Sequence, residues 1–284
     1  MTENAQTAAP ANLQARAREI RILTLQAMGR LGHGHVGGSM SIAELLAVLY
    51  FAQMKVDPQE PSLRERDRLI LSKGHCGPAL YSTLALRGFF PLEWLDTLNR
   101  GGGRLPLHCD MNKTPGVDLT TGSLGLGLSA GLGVALGNRI QGIAALTYVI
   151  LGDGEINEGQ IWEAAMAAVQ FRAGRLVAFV DYNRMQIDGT TEEVMDLGDI
   201  TGKWKSFGWH VQRVPGHDTT ALNDAIDAAR AETELPSVII LDTVKGKDVF
   251  FAEGLVASHH MKFDLQQARE AVERLPGGKR EGEI

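Results

Sequence analysis

Nearly uninterrupted apolar runs are the feature that most constrains how this 284-residue chain can fold. They cover residues 146–151, 176–180 and 238–241, and residues 68–71 form a further short run that begins with an arginine. Each run has the length of a strand, and a strand without polar alternation is covered on both faces. We therefore expect a parallel sheet buried between two layers of helices.

Segments with helical periodicity separate these runs. They cover residues 13–31, 125–138, 160–171 and 221–231, and a closing helix is expected after residue 264. Alternating strands and helices are typical of βαβ units. The prediction is an α/β fold, a doubly wound, mostly parallel sheet with helices on both faces.

The predicted boundaries give one domain. We assign residues 13–275 to a single diphosphate-binding domain, residues 1–12 to a flexible N-terminus and residues 276–284 to a charged tail. Internal repeats and a convincing linker are absent from the sequence.

Two local predictions concern the first helices. Helix 13–31 carries arginines outside its apolar stripe, which predicts a surface helix. These arginines are Arg16, Arg18, Arg21 and Arg30. Ser41 followed by Glu44 has the spacing of a capping box and predicts a helix that begins at Ser41.

Composition excludes several classes of function. The chain has 28 Lys and Arg against 34 Asp and Glu, and a net charge of −6 argues against non-specific binding to nucleic acid or anionic membranes. Cys76 and Cys109 are too few for a disulfide framework. No apolar run approaches the roughly 18 residues of a membrane span, and residues 1–12 lack the pattern of a secretory signal. We expect a cytoplasmic protein.

Two strand ends carry the residues that predict chemistry. Asp153 follows the first long run, between Gly152 and Gly154, and Asn183 and Met185 follow the second. One βαβ crossover brings such ends together at the edge where parallel sheets bind ligands. A carboxylate, an amide oxygen and a loop carbonyl form an all-oxygen set that suits Mg²⁺, for which Ca²⁺ or Mn²⁺ could substitute.

Glycine is concentrated between Gly101 and Gly159. Because glycine allows the main chain to approach a ligand closely, such a segment is suited to holding phosphates through backbone N–H groups. Gly152 and Gly154 are expected to provide a tight turn beside a diphosphate.

Other interpretations of these segments have less support. An EF-hand would need glycine and glutamate at loop positions where this chain has glutamate and alanine. A plain turn capped by Asp153 would leave Asn183 unexplained. The glycine pattern that starts at Gly125 imitates a dinucleotide fingerprint but follows no apolar strand. A zinc site at His33 and His35 rests on one residue pair alone.

The paired Asp153 and Asn183 pattern resembles the thiamine diphosphate motif of transketolases, in their N-terminal, diphosphate-binding domain. The resemblance runs from about Ala17 to about Phe263. Short segments carry it in matching order: Gly34–His35, Leu71–His75, Arg104–His108, Thr121–Gly127, Glu158–Ala165, Gln186–Gly189 and Gly216–Asp218.

This resemblance implies a role for each matching residue. Mg²⁺ would be held by Asp153, Asn183 and the Met185 carbonyl. The residues that would contact thiamine diphosphate are Gly122, Leu124, Gly152, Gly154, Glu158, Asn183 and Ile187, with Ile187 against the thiamine rings. Glu158 and Glu163 would join a carboxylate network at an interface between two active sites.

Four histidines match those that line the substrate channel of transketolases: His35, His75, His108 and His259. We assign them catalytic and substrate-binding roles, because imidazole can donate, accept and transfer protons near neutral pH. His210 and His217 are interpreted as structural, and Lys245 and Lys247 as a solvated pair.

Three positions depart from the transketolase pattern. His33 stands where a small residue is usual, His260 where glycine is common, and Cys109 where proline is common. All three are expected to face the channel, which indicates an unusual donor or acceptor sugar.

The resemblance implies a transferase of carbohydrate metabolism, as in pentose phosphate interconversion. It would move a two-carbon glycolaldehyde unit from a ketose phosphate to an aldose phosphate. No pyrimidine-binding domain is evident in this sequence. A second polypeptide carrying that domain and the C-terminal domain is expected to complete an α₂β₂ heterotetramer.

Three alternatives stay open. The substrate could be a branched or sulfonated sugar phosphate. The chain could be part of another thiamine diphosphate enzyme, such as the α chain of a 2-oxo acid dehydrogenase, although its histidines argue against this. It could also be a non-catalytic regulatory subunit, although the retained Asp153 and Asn183 argue against that.

Overall fold

The structure is a computed structural model that describes residues 10–277. The predicted flexible N-terminus and charged tail fall mostly outside the described residues. The first helix begins at Pro10 rather than at residue 13 as predicted. In the described part no helix is both long and apolar enough to cross a membrane.

Ten α-helices alternate with strands across the described residues. The helices are α1 Pro10–Leu31, α2 Val36–Met40, α3 Ala43–Val48, α4 Gly77–Arg87, α5 Leu126–Ile140, α6 Gly159–Gln170, α7 Thr191–Met195, α8 Ile200–Ser206, α9 Thr219–Ala231 and α10 Leu265–Arg274. The strands are β1 His33–Gly34, β2 Arg68–Leu71, β3 Thr147–Gly152, β4 Leu176–Tyr182, β5 His210–Pro215, β6 Ser237–Asp242 and β7 Met261–Lys262.

Five strands form one parallel sheet in the order β2-β3-β4-β6-β5, and β1 pairs with β7 in a separate antiparallel ladder. The four apolar runs of the sequence form strands β2, β3, β4 and β6. Alternate residues of these strands enter two separate apolar cores: Tyr148, Ile150 and Phe179 on one face, and Val149 and Val180 on the other. The predicted α/β fold with helices on both faces is confirmed.

The strand β5 was not predicted. It lies at one edge of the sheet, and its residues are half-buried or exposed, so it lacks the apolar run that identifies the central strands. The other edge strand, β2, has three buried residues, so edge position alone does not remove the apolar pattern; β5 lacks it because its faces are incompletely covered.

The capping box predicted at Ser41 is wrong. The residue before α3 is Ile42, which makes no side-chain cap, and the Ser41 hydroxyl instead donates to Asp181 Oδ2 at 2.6 Å. Glu44 is buried and faces α1, so the Ser41–Glu44 spacing reflects two buried polar contacts and not a capping box, although the predicted helix is present and begins at Ala43.

The prediction that Arg21 lies on a surface face is also wrong. Arg21 is 2% exposed, and its two terminal nitrogens donate to Glu44 at 2.6 and 2.8 Å. His217 Nε2 accepts from the Val244 N–H at 2.9 Å, which leaves Nδ1 to donate to Glu44 Oε2 at 3.0 Å. These two hydrogen bonds are those expected of a structural histidine.

Burial raises the pKa of Glu44, but the hydrogen bond from His217 and the charge of Arg21 outweigh it and lower the pKa to about 2. The buried pair joins α1 to α3, two helices on the same face of the sheet.

We predict that Glu44→Gln lowers the free energy of unfolding at pH 7 by about 3–5 kcal/mol, because it removes the carboxylate that pairs with the buried Arg21 and, among the described residues, leaves only Asp248, 3.8 Å away, to offset that charge. Since the folded pKa of Glu44 is depressed, its stabilisation is complete above pH 4.5 and is lost as pH falls towards about 2. Denaturant titrations of both proteins at several pH values measure this. The matched control is Glu19→Gln in the exposed Arg16–Glu19 pair, which should change stability by less than about 1 kcal/mol. Equal losses in the two variants would contradict the assignment.

Candidate active site

A cavity of about 180 Å³ opens at the carboxyl ends of β3 and β4. The β3–α6–β4 crossover brings the two predicted strand ends together, and the Asp153 N–H donates to the Asp181 carbonyl at 3.3 Å. Predicted residues from both strand ends line the cavity: Gly152, Asp153, Gly154, Asn183, Met185 and Ile187.

Asp153 is 2% exposed and accepts two backbone hydrogen bonds. One comes from the Gly154 N–H at 2.8 Å and the other from the Arg184 N–H. Burial, together with the nearby Asp181 charge, raises the pKa of Asp153 to about 7 although these hydrogen bonds oppose the shift. Among the described residues no cation lies within 4.0 Å of this carboxylate.

The other two predicted metal ligands lie on the same loop. Asn183 Oδ1 accepts from the Met185 N–H at 3.2 Å, and Asn183 Nδ2 donates to Asp181 Oδ2 at 3.0 Å. Arg184 between them has a φ of 64°, a left-handed conformation that is uncommon outside glycine. This turn directs neighbouring residues of the loop towards the β3 end.

These residues fit a divalent cation. A buried carboxylate without a cationic partner, an amide oxygen and a main-chain carbonyl supply hard oxygen ligands of the kind Mg²⁺ prefers. Gln186 Nε2, beside them in the cavity wall, is buried without a hydrogen-bond partner in the described part of the chain. A bound anionic group would satisfy it.

Sequence reasoning missed the buried ion pair beneath the cavity. Lys73 Nζ lies 2.5 Å from Asp181 Oδ2, and both side chains are 3% exposed or less. Ser41 and Thr243 also donate to Asp181. Burial opposes the charge of Lys73, but Asp181 raises the pKa of Lys73, and Lys73 lowers that of Asp181. The sequence signal that could have identified Lys73 is its position in the Leu71–His75 segment, which matches the transketolase pattern.

The interpretation of Lys245 as solvated is wrong. It is 2% exposed, lines the cavity, and donates from Nζ to the Met185 and Gln186 carbonyls at 3.3 Å. Burial lowers its pKa. Lys247, in contrast, forms an ion pair with Asp248 at 2.8 Å. Lys245 therefore places a second cationic side chain beside the strand ends.

Glu155 is a further residue that was missed. Its carboxylate accepts from the N–H groups of Gly125 and Gly152 at 2.9 and 3.0 Å and from the Ser72 hydroxyl. Gly125 has a φ of 88°, and a Cβ there would lie 2.7 Å from Glu158 Cβ. Glu155 thus fixes the start of α5 against the end of β3.

The predicted glycine-rich contacts differ in their surroundings. Leu124 lines the cavity, whereas Gly122 is exposed and lies beside His108. Ile187 lines the cavity and is 62% exposed. Glu158 and Glu163 are exposed at the start of α6 and within it.

The four predicted histidines lie together. The His35 ring centroid is 5.1 Å from that of His75, 5.7 Å from that of His108 and 5.6 Å from that of His259. His75 and His259 line the cavity. His260 also joins this group, with its centroid 4.8 Å from that of His35.

These histidines are held neutral at neutral pH. Burial, with the neighbouring histidines, lowers the pKa of His35 to about 3, and burial with Lys245 lowers that of His259 to about 4. Burial also lowers the pKa of His75 and of His108. Each neutral ring can donate one hydrogen bond and accept another. The group is therefore suited to binding hydroxyl and carbonyl oxygens.

The prediction that Cys109 faces the channel is wrong. Cys109 is 2% exposed and packs in the apolar core that contains α4. Burial raises the pKa of its thiol to about 12. In residues 10–277 no group of three or more His, Cys, Asp and Glu side chains is arranged to hold a metal ion.

Comparisons with known proteins agree on one family. The chain matches the family described as "Transketolase, thiamine diphosphate binding domain" over residues 13–276. It is 54% identical over 264 residues to the 6-deoxy-6-sulfo-D-fructose transketolase subunit SqwG of Clostridium sp. (strain MSTE9), covering 93% of this chain and 96% of that protein. It is 42% identical over 239 residues to one of the subunits of apulose-4-phosphate transketolase from Phocaeicola vulgatus, covering 84% and 85%.

Solved structures give the same result. Transketolase from Leishmania mexicana superposes with a TM-score of 0.88 at 28% identity, covering 96% of this chain and 42% of that one. A transketolase from Pichia stipitis superposes with a TM-score of 0.86 at 31% identity, covering 94% and 41%. The chain thus spans about two fifths of the length of these transketolases.

We predict that Asp153→Asn removes a pH-dependent cost of folding. The folded chain keeps a proton on Asp153 up to about pH 7, whereas an unfolded Asp releases it near pH 3.8, so wild-type stability falls as pH rises between these values. The variant should lack this fall. Thermal unfolding of wild type and variant from pH 4 to pH 8 measures it.

The same titration tests metal binding. Mg²⁺ at 100 times its Kd should stabilise the wild type by about 2.7 kcal/mol at pH 8, and less at pH 5. It should not stabilise Asp153→Asn. Asp224→Asn, at an exposed position on α9, is the matched control and should behave as wild type. Equal Mg²⁺ stabilisation of wild type and Asp153→Asn would remove Asp153 from the site.

Proposed function

The chain belongs to the transketolase family, as its thiamine diphosphate-binding domain, and on that premise we propose that it is the diphosphate-binding subunit of a two-chain transketolase. The enzyme would transfer a two-carbon glycolaldehyde unit from a ketose to an aldose. The observation that carries this proposal is the meeting of Asp153 and Asn183 with His75 and His259 in one cavity.

When bound, thiamine diphosphate would supply the carbanion chemistry that carries the two-carbon unit between the sugars. Asp153, Asn183 and the Met185 carbonyl would hold Mg²⁺, to which the diphosphate binds. The main chain at Gly152 and Gly154 would approach the phosphate oxygens, since neither glycine carries a side chain that would block them. The same role is proposed for the backbone at Gly122 and Leu124.

The cationic residues of the cavity support this assignment. Lys245 lies in the cavity wall with its pKa lowered by burial, and an anionic diphosphate beside it would compensate the charge that burial disfavours. Ile187, largely exposed at the cavity edge, would lie against the thiamine rings. Its exposed apolar side chain would be covered by the cofactor and by the partner chain.

The neutral histidines would bind the sugar. His75 and His259 face the cavity, and His35 and His108 extend the group outwards. A neutral imidazole can donate its N–H proton to a carbonyl oxygen that becomes a hydroxyl, and can accept the proton back when the C–C bond breaks and the carbonyl re-forms, so these rings are suited to holding the oxygens around that bond. The sugar hydroxyls would use the remaining donors and acceptors.

A second polypeptide would complete the site. The Clostridium and Phocaeicola relatives are named as transketolase subunits, and they match this chain over most of their own length. We propose a partner carrying the pyrimidine-binding and C-terminal domains, in an α₂β₂ arrangement, with Glu158 and Glu163 at the interface. Both glutamates are exposed on this chain, as an interface position requires.

The donor sugar that we favour is a sulfonated or otherwise unusual ketose. The most detailed support is the 54% identity to a subunit of 6-deoxy-6-sulfo-D-fructose transketolase, followed by the 42% identity to a subunit of apulose-4-phosphate transketolase. Transfer between ordinary pentose and hexose phosphates in the cytoplasm is the second candidate. The histidine group makes a 2-oxo acid dehydrogenase α chain a weaker one.

We predict glycolaldehyde transfer by this chain once it is combined with its partner. The complex is assayed with thiamine diphosphate, Mg²⁺, an aldose acceptor and three donors: 6-deoxy-6-sulfofructose, fructose 6-phosphate and xylulose 5-phosphate. The sulfonated donor should give the highest kcat/KM, and Asp153→Ala should lower activity roughly 100-fold or more. Asp224→Ala, exposed on α9, should retain it.

Three results would contradict the proposal. Comparable turnover by this chain alone would remove the need for a partner. Decarboxylation of a 2-oxo acid without glycolaldehyde transfer would favour the dehydrogenase α chain. Equal thiamine diphosphate binding by wild type and Asp153→Ala, measured by calorimetry, would remove the metal site.

A further inference from the structure

Two of the positions that depart from the transketolase pattern contact each other. His33 Nδ1 lies 3.1 Å from His260 Nε2, and the ring centroids are 5.1 Å apart. The antiparallel ladder of β1 and β7 brings them together, because it pairs His33 with Lys262 and Gly34 with Met261. Continuing this register sets His260 opposite His35. The two departures therefore form one structural unit.

This histidine pair lies outside the cavity, at the end of a row. His259 lines the cavity, and His35 follows with its centroid 5.6 Å away. His260 lies 4.8 Å beyond His35, and His33 lies beside His260. Gly34 allows β1 to pack closely against α1, because a Cβ at this position would lie 2.5 Å from Met28 Sδ. The pair thus lies at the end of the row away from the cavity-lining His259.

The hydrogen bond between the two rings leaves one donor available. If His33 Nδ1–H donates, His260 carries its proton on Nδ1; if His260 Nε2–H donates, His33 carries its proton on Nε2. In either tautomer one ring N–H has no partner among the described residues. The pair always offers that N–H to a ligand.

The surroundings of the pair favour an anion. Residues 33, 35, 260 and 262 alternate along the ladder and lie on one of its faces. Lys262 is exposed there, opposite His33. Across the part of the chain that the structure describes, no carboxylate lies within 4.0 Å of His33, His260 or Lys262. This face therefore presents the free ring N–H and the Lys262 ammonium group, with no acidic side chain of the described residues close enough to pair with them.

We propose that His33 and His260 bind the charged distal group of the donor sugar, a tetrahedral oxyanion at the end opposite the bond that breaks. The inference rests on the proposed transketolase function and adds the specificity element for its donor. Sulfonate and phosphate share the required chemistry. The free N–H of the pair donates to one oxyanion oxygen, and the Lys262 charge attracts the group to this face.

A binding experiment tests the pair without cofactor, partner or turnover. The full chain, labelled with ¹⁵N-histidine, is titrated with 2,3-dihydroxypropane-1-sulfonate, glycerol 3-phosphate or glycerol. The His33 and His260 ring signals should shift with saturation for the two anions and not for glycerol. The anion with the lower Kd identifies sulfonate or phosphate as the natural group.

Variants at both positions make the result specific. His33→Ser and His260→Gly should each raise the Kd for the preferred anion roughly tenfold, a loss of about one good hydrogen bond. His260→Gln, which keeps one donor and one acceptor, should restore part of the binding. The matched control is His210→Ala. His210 lies on edge strand β5 and is hydrogen-bonded to Ser237 of β6, so this variant should bind the anion as wild type does. Ring signals that do not move, equal shifts with glycerol, or wild-type affinity in both variants would overturn the proposal.

Kinetics of the two-chain enzyme separates this inference from the function on which it rests. Each variant should lower the ratio of kcat/KM for the charged donor to that for uncharged erythrulose by about tenfold, chiefly through KM. An unchanged ratio in an active enzyme would overturn the inference alone. A wild-type complex that transfers no glycolaldehyde would overturn the proposed function, whereas the binding titration would still decide the role of the pair.

Discussion

The buried ion pair of Lys73 and Asp181 is the interaction on which the rest of the site depends. It joins the end of β4 to the loop after β2 at a depth where neither charge reaches solvent. Asp181 also accepts from Ser41, Thr243 and Asn183. Breaking a buried pair leaves an uncompensated charge, so the pair fixes these elements in one arrangement.

This arrangement leaves a second buried carboxylate without a partner. Burial and the nearby Asp181 charge raise the pKa of Asp153. Lys73 is paired with Asp181 and Lys245 donates to main-chain carbonyls, so neither lysine pairs with Asp153. A divalent cation would resolve this imbalance, because its charge favours the ionised carboxylate. The same protein atoms therefore explain why the chain tolerates an unpaired aspartate and why it would bind a metal–diphosphate group.

The sequence was informative where residue type and spacing suffice. Strands β3, β4 and β6 are buried on both faces and so appear as apolar runs, and the crossover between them places Asp153 near Asn183. Edge strand β5 lacks that pattern. Lys73, Lys245 and Arg21 were misjudged or missed because a charged residue indicates the surface unless its partner is known. Their partners, Asp181, the Met185 carbonyl and Glu44, are distant in sequence and meet only in the fold.

We propose that Asp153, Asn183 and the Met185 carbonyl hold the divalent ion that binds with the cofactor. The most direct test is a crystal structure of the chain with thiamine diphosphate and Mn²⁺, with the metal located by its anomalous scattering. We predict one strong peak within about 2.5 Å of an Asp153 carboxylate oxygen, Asn183 Oδ1 and the Met185 carbonyl oxygen, with diphosphate oxygens in the remaining positions. A peak at the histidine row, or diphosphate bound without metal at these residues, would contradict it.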